Sequence, residues 1–314
     1  MPRIAVFGAG AIGCWVGGML AAGGADVTLI GRARVLDELA GGLRVSDLDG
    51  GDRRVTVRIA SAVGDADLVL VTVKSAATRD AATALAHVTC PVLSLQNGVR
   101  NVETLRARLP RVLAGMVPFN VVRRAPGTYH RASAGTIMVD PAAAPLLPMH
   151  VEARSDMPAV QWSKLLMNLN NAINALSDLP LAEELAQRAY RRCLAAAQRE
   201  ALALVRAARI ELARVTPLPP AWLPSLLELP DRIFRVLARR VVAIDPLARS
   251  SMWEDLEAKR PTEIDYIQGE IIALAERLHR TAPINAALVA LVRAAEAGGR
   301  RDYRGDELLA ALRS

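Results

Sequence analysis

The sequence predicts an α/β plus all-α protein: a doubly wound sheet with an antiparallel extension over residues 1–155, then a helical domain over 156–314. Three observations carry this. The chain opens as a strand, a glycine-rich turn and a helix, R-I-A-V-F-G-A-G-A-I-G at 3–13. Strand and helix patterns then alternate to about residue 115, the mark of right-handed βαβ units and a parallel sheet. Beyond about residue 155 the strand patterns vanish and helical periodicity takes over.

The first strand, Ile4–Phe7, breaks into Gly8, Gly10 and Gly13, and the pattern from Ala11 to Ala22 is helical. That order is the context a dinucleotide fingerprint needs, which makes the domain Rossmann-type. Gly8 allows a tight turn, Gly10 lets backbone approach a pyrophosphate, and Gly13 lets the helix sit close to the strand. The helix N-terminus offers N–H groups and partial positive charge to the phosphates. Glycines that serve only sheet packing are the plainer reading.

The second strand, Asp26–Ile30, runs into Gly31, Arg32, Ala33 and Arg34. An NAD-binding chain ordinarily ends this strand on Asp or Glu, which holds the ribose 2′-hydroxyl. None stands here, and a guanidinium suits a 2′-phosphate through paired charge-assisted bonds. The expected cofactor is NADP(H), with Arg32 as a contact; Arg34 reads equally well as a solvated loop arginine. Leu68–Val73, Pro91–Leu95 and Arg111–Gly115 complete the parallel strands, with helices at Ala76–His87 and Val102–Leu109. Lys74 and Asn97 follow two of these strands at their carboxyl ends, the binding edge of such a sheet. Asn97-Gly98 is also an ordinary turn pair. Val117–Arg123, Gly135–Val139 and His150–Ala153 read as short strands of the antiparallel extension, broken by Pro-Gly and Pro-rich turns.

From a boundary near Arg154–Met157 the helical segments are Val160–Ser177, Pro180–Arg209, Trp222–Ala243, Ser251–Lys259, Thr262–Arg280 and Ala286–Ala297. In the first of them, Asn168 and Asn171 stand four and seven positions beyond Lys164. On one helix those two fall within about 60° of each other, so an ammonium and two amides line one stripe. Asn is a poor helix former, and four in seven residues (168, 170, 171 and 174) are costly unless the amides hold something. Trp162, Leu165, Leu166 and Leu169 bury the segment, and a buried lysine has a lowered pKa suited to proton donation. A polar interhelical network or a snorkelling lysine is the alternative. Ser251–Glu254 and Thr262–Asp265 match capping boxes, and Glu263 is expected in a first helical turn, where the dipole favours its charged form.

Composition narrows the partners. With 314 residues, 52 % apolar and 23 % charged, the chain can fill two cores. It has no apolar run of the ~18–20 residues that span a bilayer, and no leader precedes the first strand. A cytoplasmic, membrane-free protein is expected. Three scattered cysteines (Cys14, Cys90, Cys193) read as buried small hydrophobes, and four histidines show no ligand spacing, so no metal is expected. The net charge of +7 comes from arginines spread along the chain, which argues against a nucleic-acid partner. A composition bias explains it more simply than a field that captures anions. The oligomeric state is left open, a homodimer being among the assemblies permitted.

Taken together, G-A-G-A-I-G at the start, V-T-V-K at 71–74, Q-N-G at 96–98, K-L-L-M-N-L-N-N at 164–171 and S-S-M-W-E-D-L-E-A-K-R-P-T-E-I-D-Y-I-Q-G at 250–269 resemble the ketopantoate reductase (2-dehydropantoate 2-reductase) family, in order and over nearly the whole chain. The resemblance implies NADPH-dependent reduction of 2-dehydropantoate to (R)-pantoate, a step in pantothenate and coenzyme A synthesis. It implies Lys164 as the general acid and Glu263 as an essential carboxylate. It also implies Ser251, Asn97 and Asn168 as substrate contacts, with Arg32, Lys74 and Asn97 touching the cofactor. One departure bears on the substrate. The family pattern has a second Asn eight residues after the lysine, where this chain has Ala172. Asn171, on the Lys164 stripe, is the preferred substitute over Asn174, and another 2-keto acid is the alternative substrate. A 3-hydroxy acid dehydrogenase and an NADP-sensing protein without turnover are the remaining alternatives.

Overall fold

A computed structural model describes residues 1–39, 41–238 and 248–313. Its contacts divide the chain into two units, Met1–Met157 and Pro158–Ser314.

In the first unit the strands are β1 (Arg3–Phe7), β2 (Asp26–Ile30), β3 (Leu43–Ser46), β4 (Asp52–Val55), β5 (Arg58–Ala60), β6 (Leu68–Val71), β7 (Val92–Ser94), β8 (Val112–Met116), β9 (Val121–Ala125), β10 (Thr128–Arg131), β11 (Met138–Val139) and β12 (Glu152–Ala153). The helices are α1 (Ala11–Ala22), α2 (Ala33–Leu39), α3 (Thr78–Ala84) and α4 (Asn101–Arg106). Strands β5, β2, β1, β6, β7 and β8 lie side by side and parallel. This is the doubly wound order, whose direction of winding reverses between β1 and β6. Strand β11 joins β8 antiparallel through Met138↔Met116, and β12 adds beyond it: this is the antiparallel extension.

The Val117–Arg123 segment does not join that extension. Strand β9 instead forms a hairpin with β10 in a second sheet of order β4-β3-β10-β9. The cause is the turn Ala125-Pro126-Gly127-Thr128. Gly127 takes φ 67° there, and Pro-Gly at the two central positions suits a type II turn. Strands β3, β4, β5 and β10 and helix α2 were not among the elements expected from the sequence. Strand β4 reads D-R-R-V with three of four residues exposed, so it shows no alternation of apolar side chains. Its pairing with β3 makes it a strand.

Helix α1 packs against both sheets. Gly17 lies against Leu29, Val6 and Val27, and Gly18 lies against Val45 and Leu43. A Cβ at Gly18 would stand 2.5 Å from a Val45 methyl. Both faces of the helix are therefore occupied, and Cys14, Trp15, Val16 and Leu20 are buried with the two glycines.

In the second unit the described residues form only helices: α5 (Met157–Asn168), α6 (Asn170–Ser177), α7 (Leu181–Ala186), α8 (Arg188–Ala207), α9 (Leu223–Leu227), α10 (Asp231–Ala238), α11 (Ser251–Glu257), α12 (Ile264–Arg277), α13 (Pro283–Glu296) and α14 (Gly305–Ala311). Two expected helices are divided, and in a third, Val160–Ser177, Leu169 between α5 and α6 keeps helical angles (φ −56°, ψ −22°) and its N–H donates to Leu165 O at 3.1 Å. The Leu169 carbonyl accepts from Gln268 Nε2 at 2.8 Å and the Leu166 carbonyl from Gln198 Nε2 at 3.1 Å. The Pro180–Arg209 segment breaks at Gln187, which is extended at φ −98° and ψ 119°. The Trp222–Ala243 segment breaks at Leu227–Pro230, and its last five residues lie outside the described ones. No helix among the described residues is long and apolar enough to cross a membrane.

Candidate active site

The first cluster is the glycine turn. Gly8 N and Ala9 N both donate to Ile30 O, at 2.9 and 3.0 Å, so the turn is tied to the tip of β2. Arg32, exposed, follows that tip by two residues. Gly8 sits at φ +122°, and a Cβ there would lie 2.7 Å from Val73 N. A Cβ on Gly13 would stand 2.1 Å from Gly8 O and 2.6 Å from Thr72 Oγ1. These two glycines are required by the fold itself. Gly10 is different: a Cβ there meets nothing within 4 Å. Gly10 is the N-cap of α1, whose first turn carries no acidic residue. Packing does not account for a glycine at this position, and a pyrophosphate drawn against the backbone does. The residues present therefore fit a dinucleotide. The side chain of Arg34 lies outside what is described.

The second cluster stands where β6 and β7 end. Strand β6 stops at Val71, two residues short of the expected end, and Lys74, itself exposed, leads a 3-10 turn, Ser75–Ala77. Asn97 is half-buried, and its carbonyl accepts from Ser75 Oγ at 3.1 Å and from Asn101 Nδ2. Gln96 Nε2 donates to Val73 O at 3.0 Å and Thr78 Oγ1 at 2.8 Å. Asn101 Oδ1 accepts from Thr78 Oγ1 at 2.9 Å. Ser75, Thr78, Gln96 and Asn101 are buried, and together they lock the backbone on which Lys74 and Asn97 stand. Sequence reasoning missed this network. Its signal was a run of uncharged polar residues just past two apolar strands.

The third cluster belongs to the second unit. Lys164 on α5 is partly buried, and burial lowers its pKa from 10.5 to about 8. Asn168, at the end of the same helix, is buried. Leu169, between Lys164 and Asn171, keeps helical angles. Three of the four asparagines divide into two kinds. Asn170 and Asn174 each donate to Glu184 Oε2, at 3.2 and 2.9 Å. Asn171 is partly exposed and its amide makes no hydrogen bond among the described residues. Asn174, the other candidate for the missing asparagine, is fully buried and its amide is fully engaged.

Two capping expectations are corrected. The N-cap of α11 is Ser250, whose Oγ accepts from Trp253 N at 3.2 Å, and Ser251 is the first residue of the helix. Ser250 wins because its N–H and hydroxyl are already held by Asn174 and the Asn171 carbonyl. Glu263 does not stand in a first turn. It is the N-cap of α12 and is buried, while Thr262 Oγ1 accepts from Ile264 N at 3.3 Å. Of the cysteines, Cys14 and Cys193 are buried but Cys90 is only partly so. No group of three or more potential ligands among the described residues could hold a metal. A cavity of about 310 Å³ along the C-terminal half of α1, lined by Trp15, Phe119 and Arg131, contains none of the candidate residues.

The family described as ketopantoate reductase PanE/ApbA matches residues 4–144, and its C-terminal part matches residues 156–296. The chain belongs to the ketopantoate reductase family. It is thereby an oxidoreductase of the class that acts on CH–OH groups. Among similar ketopantoate reductases, the 2-dehydropantoate 2-reductase of Archaeoglobus fulgidus is 28% identical over 311 residues, covering 95% of this chain and 99% of its own. That of Halobacterium salinarum is 30% identical over 324 residues, covering 95% and 100%. A solved ketopantoate reductase from Ralstonia eutropha JMP134 superimposes with a TM-score of 0.79 at 31% identity, covering 94% of this chain and 99% of its own. The D-mandelate dehydrogenase solved with NADH and anilino(oxo)acetate shares the fold at a TM-score of 0.77 and 22% identity, covering 94% and 99%.

Proposed function

We propose that this ketopantoate reductase family member reduces 2-dehydropantoate to (R)-pantoate with NADPH, serving pantothenate and coenzyme A synthesis. The observation that carries the reading is Lys164, an ammonium whose burial brings its pKa to about 8, in a chain similar end to end to enzymes named 2-dehydropantoate 2-reductase.

The two units divide the work. In the first, the backbone at Gly8, Gly10 and Gly13 and the side chains of Arg32, Lys74 and Asn97 would hold the dinucleotide. When bound, NADPH supplies the hydride for C2 of the keto acid. In the second, Lys164 gives its proton to the ketone oxygen, and its charge favours the developing alkoxide beforehand. Ser251 binds the substrate with Asn168 and Asn171, and Glu263 orients Lys164 and the substrate. NADPH is preferred to NADH because Arg32 follows β2 and no carboxylate ends that strand.

A second reading has one observation in its favour. Ala172 is fully buried where the family pattern has an asparagine, which removes one amide from the grip on a substrate hydroxyl. A different branched 2-keto acid is then the substrate. NADPH oxidation with 2-dehydropantoate, pyruvate, 2-ketoisovalerate and 2-ketoisocaproate separates the two. The first reading expects kcat/KM for 2-dehydropantoate at least ~10²-fold above the rest, the scale of specific hydroxyl recognition. A flat profile, or a preference for another acid, refutes it and supports the second.

Cofactor choice is tested at Arg32. Arg32→Ala is expected to raise KM for NADPH by about 10- to 100-fold, the worth of a charged hydrogen bond, with KM for NADH little changed. Equal losses with both cofactors would remove the 2′-phosphate role.

A further inference from the structure

Glu184 on α7 is fully buried, and no Lys, Arg or His among the described residues pairs with it. Its Oε2 accepts from Asn174 Nδ2 at 2.9 Å and from Asn170 Nδ2 at 3.2 Å. Asn174 passes the connection on. Its Nδ2 also donates to Leu179 O at 3.0 Å, and its Oδ1 accepts from Ser250 N at 2.8 Å. Ser250 is the N-cap of α11, and the next residue is Ser251. Leu181 N donates to Ala248 O at 2.9 Å, so the approach to α11 is tied to the start of α7 a second time.

We propose that Glu184 is a positioning residue: through Asn174 and Ser250 it sets where the first turn of α11, and with it Ser251, stands to meet the substrate. The proposal rests on the reading of Ser251 given above. The reasoning is one of hydrogen-bond capacity. An asparagine amide has two N–H donors and one oxygen, and at Asn174 all three are used. The Ser250 N–H requires the oxygen on its side, so the Nδ2 must face Glu184, and residue 184 must offer an acceptor. Without that acceptor the Asn174 amide has a buried donor unmatched, and its best escape is a rotation that releases Ser250 N.

The form of Glu184 that fits is the neutral acid. Burial without a cation raises its pKa from 4.5 to about 8, against the pull of the two amides. Glu184 Oε1 and Asn170 Oδ1 are both buried without a hydrogen-bond partner. A proton on Oε1 turns it from a second unsatisfied acceptor into a donor. The ionisable groups around it are Tyr190, Cys193 and Arg191 of α8 and Asp231 of α10. The thiol is pushed up to about 12 and the phenol is raised, both chiefly by burial. Arg191 is spent on the carbonyls of Leu185, Leu227 and Leu229 and on Asp231. Neither the thiol nor the phenol takes on charge near pH 8 to mask Glu184.

Glutamine has the shape of the protonated acid, with an acceptor and a donor in the same places; leucine has neither. The experiment compares Glu184→Gln, Glu184→Leu and the parent enzyme in steady-state kinetics with NADPH and the keto acid that the parent turns over best, from pH 6 to 9. NADPH binding is followed separately by fluorescence titration, and thermal unfolding across the same range. Glu184→Leu is expected to raise KM for the keto acid about tenfold, with NADPH affinity and kcat within about threefold of the parent. Glu184→Gln is expected to match the parent at pH 7. Stability gives a readout independent of turnover. The parent holds this proton in the folded state until about pH 8, whereas the unfolded carboxyl loses it near about 4.3. The parent therefore loses stability relative to Glu184→Gln as pH rises through that window. A Gln variant as impaired as the Leu variant overturns the proposal. Should the Leu variant not fold, the comparison of parent with Glu184→Gln decides, and a Gln variant whose keto-acid KM is raised about tenfold overturns the proposal. A parent that reduces no 2-keto acid refutes the proposed function instead, and the Tm gap between parent and Gln variant, present or absent, still decides whether Glu184 is held as the neutral acid.

Discussion

Lys164→Ala lowers kcat for keto-acid reduction by about 10³-fold, with NADPH binding nearly intact. The magnitude follows from what is lost: a positioned acid contributes about 10²–10⁴-fold, and its charge stabilises the alkoxide as well. The binding result follows from the placement of the two functions, since the glycine turn lies in the unit Met1–Met157 and Lys164 in the unit Pro158–Ser314. The pH dependence has a definite sign. Lys164 must be protonated to act as acid, and burial sets its pKa at about 8. Reduction is therefore flat below that value and falls about tenfold per pH unit above it, a limb that Lys164→Ala abolishes. Stability moves the other way: the folded state releases this proton earlier than the unfolded chain, so Lys164 adds stability as pH rises from about 8 toward the ordinary lysine range. Measuring kcat, NADPH affinity and thermal unfolding from pH 6 to 10 in both proteins checks every part. Near-parental turnover in the alanine variant sinks the assignment.

Alanine at Gly10 and at Gly13 has different expected consequences, although both belong to one motif. At Gly13 the new methyl would sit 2.1 Å from the Gly8 carbonyl oxygen, in the turn itself, and 2.6 Å from Thr72 Oγ1, just past β6. The loop has to move, which costs on the order of 1–3 kcal/mol for forced overpacking. The melting temperature falls and cofactor binding falls with it. At Gly10 the methyl meets nothing. The melting temperature is expected to stay put, while NADPH affinity drops about 10²-fold or more because the methyl occupies the place where backbone should meet phosphate. Thermal unfolding without cofactor, set beside NADPH titration, separates the cases. Unchanged NADPH affinity in Gly10→Ala would remove the pyrophosphate from that turn.

The same contrast shows where sequence reading stops. The carbonyls of Leu169 and Leu166 are taken by Gln268 and Gln198, from helices remote in sequence. No local pattern announces that. The cap of α11 likewise goes to Ser250 rather than Ser251, since Asn174 and the Asn171 carbonyl already hold Ser250. Glu184 was invisible in a run of two glutamates, one of which faces solvent.

The sequence by itself determined the parts whose physics is local. The order of strand, glycine turn and helix, the lack of a carboxylate after β2, the apolar strands of the parallel sheet and the change to helical periodicity near residue 155 all reside in contiguous stretches. Tertiary structure alone decided the second sheet, in which the charged β4 exists only by pairing with β3, and the pKa of Lys164, which depends on how deeply its neighbours bury it. It also decided which asparagines are spent on Glu184 and which is left unengaged. Burial and hydrogen-bond partners are properties of what the chain brings together from far apart, and a buried amide or carboxyl takes its role from whichever partner satisfies it.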